Sequence, residues 1–192
     1  MAKTLEDLND ESLMDLVLEQ NHQAFSVLVT RRHEMFYAAA YRMMQAREEA
    51  EDIVQDGFLK IWQNPKIWKK GQGAKFTTWF YKVIINLCLD KLKKTKNIHI
   101  EIDQKISSNN QSQEQMLQEL AEQQALEKAI SDLPVKQKTA LNLCVYEEVS
   151  NKEAARIMDI NVKALESLLM RAKSGIRAAL IREGVIEEGQ TG

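Results

Sequence analysis

The chain has 192 residues, a formal net charge of -2 and 44% hydrophobic residues, which allows one large core or two small helical ones. Two prolines and seven glycines in the whole chain argue against a turn-rich β protein and for helices. Cys88 and Cys144 lie far apart without metal spacing, acids stand where a signal peptide needs an apolar core, and no apolar run approaches membrane length. These features exclude a secreted or inserted protein and predict a soluble cytoplasmic one with buried thiols.

Four helical segments fit the first 95 residues. The first runs from Asp10 or Glu11 to Glu19, with Leu13, Leu16 and Val17 on one face. The second runs from Gln23 to Arg47, repeating Phe25, Leu28, Val29, Phe36, Ala39, Ala40 and Met43 at three and four spacing. The third, Arg47 to Gln63, does the same through Ala50, Ile53, Val54, Gly57, Phe58, Ile61 and Trp62, and Asn64-Pro65 ends it. Residues 66–75, with Gly71 and Gly73, read as a loop. Helix resumes at Phe76 or Thr77 and continues to about Lys94.

Charge is unevenly distributed. From Leu5 to Asp56 there are twelve acids against four arginines, whereas Lys60 to Lys96 holds ten lysines and one acid, Asp90. Phe76, Trp79, Phe80 and Tyr81 are set among those lysines. Lysines bind phosphates by releasing counterions and aromatic faces stack on unpaired bases, so this segment predicts contact with single-stranded or melted nucleic acid. A solvated lysine face beside ordinary core aromatics is the alternative reading.

Past Lys96 the chain becomes polar and glutamine-rich, with six acids to one lysine from Glu101 to Glu127. Its first half reads as a linker, and helical pattern returns around Met116. In the second domain Ser150-Asn151-Lys152-Glu153 forms a capping box that opens a short helix ending at Asp159-Ile160-Asn161. Asn161 then caps a longer helix with Leu165, Leu168, Leu169, Ala172 and Ile176 on one side. Two short helices joined by a tight turn, the second polar outside, describe a helix-turn-helix. The tail from Glu183 reads as frayed. The expected fold is therefore all-α. Two small helical domains, 1–95 and 125–183, are joined by a polar acidic linker at 96–124 and followed by a tail at 184–192.

Together these pieces resemble a bacterial sigma factor of the extracytoplasmic-function (ECF) group, part of the sigma-70 family. The run Ala50-Glu51-Asp52-Ile53-Val54-Gln55-Asp56-Gly57-Phe58-Leu59-Lys60-Ile61-Trp62 is similar to the family's core-polymerase-binding helix. Phe76-Thr77-Thr78-Trp79-Phe80, followed by Asn86, Asp90 and Lys91, is similar to its promoter-melting segment. Ser131-Asp132-Leu133-Pro134, with Ser167, Leu169 and Arg171-Ala172, resembles its second DNA-binding domain.

The resemblance implies a site for each partner. Asp52, Gln55, Asp56 and Leu59 would dock on core RNA polymerase. Lys75, Thr77, Trp79, Lys82, Asn86, Lys91, Lys93 and Lys94 would hold the −10 element, on its non-template strand. Asn86 is the candidate for a base edge, because an amide both donates and accepts, and the lysines are candidates for phosphates. Trp79 is assigned to core more readily than to stacking, and Trp62 and Phe80 more clearly so. The family captures a flipped base in the loop, here residues 66–75, and unstacking costs a few kcal/mol per base. Asn161, Lys163, Ala164, Glu166, Ser167, Met170, Arg171 and Lys173 would meet the −35 duplex.

There the sequence departs from the family, reading Ala164-Leu165-Glu166-Ser167-Leu168 where Thr-Val-Lys-Ser-Arg is common. Glu166 can accept from cytosine N4 in the major groove and so read a C, but the departure leaves the −35 sequence open, and individual base contacts do not transfer. An anti-sigma factor is the further partner implied.

No catalytic constellation, metal-ligand spacing or cofactor motif is present, and His22, His33 and His99 are scattered. The polymerase would do the chemistry. Two other classes compete: a sigma-like mimic that binds an anti-sigma factor but not DNA, and a stand-alone helix-turn-helix regulator. The modest charge of the second domain, nine basic to seven acidic residues from Ser131 to Glu183, leaves room for the first. The second leaves the polymerase-like helix unexplained.

Overall fold

The computed structural model describes residues 4–69, 75–96 and 115–187, and every regular element among them is helical. After a short 3₁₀ turn at Leu5–Asp7, α1 (Asp10–Leu18) starts where the Asn9 side chain accepts from the Ser12 amide at 2.8 Å. In α2 (His22–Met44) Asn21 caps Ala24 in the same way. α3 (Arg47–Gln63) has no side-chain cap, but Glu48 and Glu49 occupy its first turn, where the helix dipole favours acids. Pro65 then diverts the chain into a 3₁₀ turn, Pro65–Ile67.

The second helix does not reach Arg47. Gln45 takes the left-handed conformation (φ 57°) and its amide closes on the Tyr41 carbonyl at 2.7 Å, so α2 ends at Met44. Such an end is usually marked by glycine, and without one the end of α2 was expected at Arg47, three residues too late. The proposed loop begins with the 3₁₀ turn, and residues 70–74 lie outside the described residues. α4 (Phe76–Lys96) follows.

In the first unit α2 packs on α1, α3 and α4 around Leu13, Met14, Leu28, Phe36, Phe58 and Phe80. Phe36, Phe76 and Phe80 are fully buried, and each such side chain stabilises the fold by roughly 1.5–3 kcal/mol. α1 is tied down by Asp10, only 5% exposed, which binds Arg31 at 3.0 Å and Arg32 at 2.7 Å. Arg31 also donates to the Leu8 and Glu6 carbonyls. A charge this well buried needs such pairing.

The second unit comprises α5 (Gln115–Ser131), α6 (Val135–Leu141), a widened turn at Asn142–Tyr146, α7 (Asn151–Ile157) and α8 (Val162–Arg182). α5 is one helix, so the latter part of the glutamine-rich stretch is helical, and residues 97–114 lie outside the described residues. α5 and α6 pack on α8, with Leu133, Leu141 and Ala172 at the centre. Gly184 (φ 73°) ends α8, and the Val185 amide reaches back to the Leu180 carbonyl at 2.9 Å. Tail residues 188–192 lie outside the described residues.

The two units share a seam. Ala140, Leu143, Ala154, Ala155, Ile157 and Leu165 join the core cluster of the first unit, and α7 packs on α4. The buried Asn142 amide donates to the Ala39 carbonyl at 2.9 Å, and Thr78 donates to Glu153 at 3.3 Å. Glu147 accepts from both Arg42 and Tyr81, and Arg42 lies over the Tyr146 ring, 4.6 Å from its centroid. Burial and then the Glu147 carboxylate push the Tyr81 phenol well above its ordinary range. Because that pKa is raised, its stabilising effect is complete below about pH 10 and is lost as pH rises beyond it.

The Glu147→Ala variant leaves Arg42 and Tyr81 without their acceptor, at a cost of roughly 1–3 kcal/mol. We predict that both units stay helical by circular dichroism while small-angle scattering shows a larger radius of gyration. An unchanged scattering curve would show that the apolar part of the seam suffices.

Candidate nucleic-acid interface

α3 divides sharply into two faces. Ala50, Ile53, Val54, Gly57, Phe58 and Ile61 are buried, while Asp52, Gln55, Asp56 and Leu59 are exposed. The four outer residues recur at three and four spacing and so share one side of the helix. Leu59 is 48% exposed, an apolar side chain presented to solvent within an acidic, polar patch. Gly57 lets α3 approach α4 closely: a Cβ there would lie 2.7 Å from Ile84 Cδ1 and 3.2 Å from Phe80 Cζ.

On α4 the buried side is Phe76, Phe80, Tyr81, Ile84, Ile85 and Cys88. Lys75 is exposed just before the helix, Thr77, Trp79 and Lys82 are half-buried, and Asn86 is exposed. Trp79, Lys82, Asn86 and Lys93 recur at helical spacing and form one stripe. Lys93 and Lys94 are exposed, with Lys93 3.4 Å from Asp90. Lys91 is half-buried and reaches Asp52 on α3 at 3.6 Å, so the acidic and basic faces meet along one edge. That pair is largely exposed and contributes little to stability. Trp79 lies between Trp68 (5.3 Å) and Phe76 (6.0 Å), with Phe80 stacked behind it, so part of the indole stays accessible. Phe80 is core; Trp62 is only half-buried and packs on His22 and Phe25.

The paired helices α7 and α8 carry the caps expected of them. Ser150 accepts from the Glu153 amide, and Glu153 reaches back to the Ser150 hydroxyl at 2.9 Å while its other oxygen holds Thr78. Asp159 (φ 55°) makes the turn, a conformation aspartate tolerates better than most residues. Asn161 accepts from the Ala164 amide at 2.8 Å. In α8 Leu165 and Ala172 are buried, with Leu168, Leu169 and Ile176 half-buried. Asn161, Lys163, Glu166, Ser167, Met170, Arg171 and Lys173 are exposed and Ala164 is half-exposed. Met170, at 64% exposed, is the most accessible large apolar side chain described.

Sequence reasoning passed over several groups. Glu11 accepts from the Phe76 amide at the start of α4, and Arg42, Asn142 and Glu147 join the units. Their partners are far away in the chain, so no local pattern signals them. A cleft of about 700 Å³ opens beside the seam, lined by Tyr41, Arg42, Gln124, Lys138 and Tyr146 among others. Burial lowers the Lys138 pKa there.

The cysteines are free: Cys88 is buried, its thiol pushed up to about 12 by burial, and Cys144 is half-buried. His33 pairs with Glu51 at 3.0 Å, His22 packs on Trp62, and His99 lies outside the described residues. Among the described residues there is no cluster able to hold a metal and no helix long and apolar enough to cross a membrane.

The two helical units coincide with two matched modules of one family. The sigma-70 region 2 model matches residues 28–98 and the sigma-70 region 4 model matches residues 123–174. The chain belongs to the sigma-70 family, in its ECF group. It is 26% identical over 175 residues to the ECF RNA polymerase sigma factor SigW of Bacillus subtilis, covering 85% of this chain and 92% of that one. The ECF RNA polymerase sigma-E factor of Haemophilus influenzae is 26% identical over 183 residues, covering 89% and 95%.

Two solved complexes share the fold. CnrH, bound to the cytosolic domain of CnrY, superposes with a TM-score of 0.66 at 21% identity, covering 90% of this chain and 97% of that one. RpoE, bound to the anti-sigma factor NepR from Bartonella quintana, gives 0.63 at 20% identity, covering 82% and 96%. α1 lies ahead of the region 2 match, so the match itself does not account for that helix.

Proposed function

We propose that this ECF chain binds core RNA polymerase and directs it to promoters, opening the −10 element with its first unit and reading the −35 element with its second. The outer face of α3 carries the reading. Asp52, Gln55, Asp56 and the exposed Leu59 form an acidic, polar patch with an apolar side chain at one end, on a rigidly packed helix and open to a protein partner. Core polymerase is that partner in this proposal.

Beside it, α4 offers the stripe of Trp79, Lys82, Asn86 and Lys93 to the non-template strand. Lys75, Lys82, Lys91, Lys93 and Lys94 take the phosphates, Asn86 takes a base edge, and Thr77 and Trp79 border the unstacked base. Of the capture loop, residues 66–75, positions 70–74 lie outside the described residues. α8 enters the major groove with Lys163, Glu166, Ser167, Met170 and Arg171 leading, Asn161 and Ala164 at its start, and Lys173 on the backbone. Glu166 is suited to cytosine N4. The chain needs no catalytic group, metal or cofactor for this, since the polymerase forms the bonds.

The observed seam bears on the mechanism. α7, the first helix of the helix-turn-helix, packs against α4, and Thr78 of the melting segment is held by Glu153. Two promoter elements separated along a duplex cannot both be met by faces held this close, so engagement requires the seam to part. By likeness to RpoE, solved with the anti-sigma factor NepR, an anti-sigma factor acting in the cytoplasm is the partner proposed to favour the joined state.

Asp56→Arg should fold normally, since the side chain is exposed, and should lose roughly thirtyfold or more in affinity for core polymerase. Full affinity in a binding titration would refute the α3 assignment. The Lys91/Lys93/Lys94→Ala variant should bind polymerase normally yet open promoters poorly. The slope of its log affinity against log salt for single-stranded −10 DNA should shrink by roughly 2. An unchanged slope would remove these lysines from the DNA face.

A further inference from the structure

The residue at the start of α4 brings no capping side chain. The Trp79 amide closes the first helical bond on the Lys75 carbonyl, which makes Lys75 the capping position, and an ammonium has no lone pair to offer the exposed amides. The acceptor comes instead from α1, 65 residues earlier: the Phe76 amide donates to Glu11 Oε1 at 2.9 Å. Glu11 is in turn fixed by its neighbours. Asn9 caps its helix, and Asp10 beside it is locked by Arg31 and Arg32. α1 also packs against the 3₁₀ turn Pro65–Ile67, which lies on the other side of residues 70–74. Both shoulders of that segment therefore rest on α1.

We propose that Glu11 is a positioning residue for promoter melting, acting through the Phe76 amide to fix where α4 starts. The inference rests on the assignment of α4 to the −10 element. Phe76 is held twice, by this bond and by its fully buried ring, which stacks on Phe80 and meets Trp68 edge-on. Lys75, Thr77 and Trp79 radiate from the same turn, so their direction toward an unstacked base follows from how firmly that turn is fixed. The carboxylate also fills the place at which a helix N-terminus would otherwise attract a phosphate. DNA phosphates are thereby left to the lysines, and the strand passes along the helix side instead of its end. The capping group comes from the segment ahead of residue 28, where the region 2 match begins.

Two variants separate positioning from packing. Glu11→Met keeps the length and bulk of the side chain but cannot accept the bond, whereas Glu11→Gln keeps an acceptor and loses only the charge. With core polymerase, on a promoter fragment from which the wild-type chain starts transcription, permanganate reactivity of unpaired thymines gives the opening rate. Glu11→Met should open roughly fivefold more slowly at unchanged polymerase affinity, and Glu11→Gln should restore the wild-type rate.

Hydrogen exchange of the free full-length protein reads the same bond without polymerase. Exchange at Phe76 should quicken about fivefold in Glu11→Met and stay slow in Glu11→Gln. Wild-type opening by Glu11→Met, equal defects in both variants, or unchanged exchange at Phe76 would overturn the inference. A wild-type chain that opens no promoter at all would instead overturn the proposed function, with the exchange result still deciding whether Glu11 caps α4.

Discussion

Two helices with opposite charge lie side by side in the first unit because their contact is apolar and very close. Gly57 on α3 faces Phe80 and Ile84 on α4 so closely that a Cβ would displace their side chains, and Phe36 and Phe58 complete the packing. Protein interiors of this density resist small shifts, so the angle between α3 and α4 is fixed. The acidic patch around Asp56 and the lysine stripe around Asn86 are therefore presented as two adjacent faces of one rigid body. Lys91 and Asp52 mark the edge where they meet. The roles proposed for the two faces, a protein on one and a melted strand on the next, depend on that rigidity.

The seam between the units is built differently. Its apolar part is continuous with the main core, but its direction-specific contacts centre on Glu147 and Asn142, which bind Arg42, Tyr81 and the Ala39 carbonyl. A carboxylate only 9% exposed contributes favourably only while its donors stay in place. Such contacts give a seam that is well defined when closed and weakens sharply once one donor leaves. That suits a joint proposed to part on promoter binding and to be held by a regulator.

Much of this was legible in the sequence wherever the signal is local. The span of α3 follows from its apolar periodicity and the proline after it, and the capping box at Ser150 and Glu153, the cap at Asn161 and the outward face of α8 follow from periodicity and cap chemistry within one or two turns. The end of α2 was misplaced because Gln45 adopts a left-handed conformation with no glycine to announce it. The pairings of Glu11 with Phe76, Arg42 with Glu147 and Asn142 with Ala39 span 65 to 105 residues. Nothing in the spacing of charges along the chain chooses those partners. Trp62 shows the same limit: its place in the apolar pattern put it in the core, yet it rests half-exposed on His22.

The measurement that bears most directly on the account is transcription in vitro by core RNA polymerase, with and without this chain, on fragmented DNA from its own genome. The account predicts discrete start sites that appear only when the chain is present, preceded by shared −10 and −35 sequences. Polymerase that binds the chain but starts nowhere new would contradict the roles given to α4 and α8, and failure to bind would contradict the role of α3 as well.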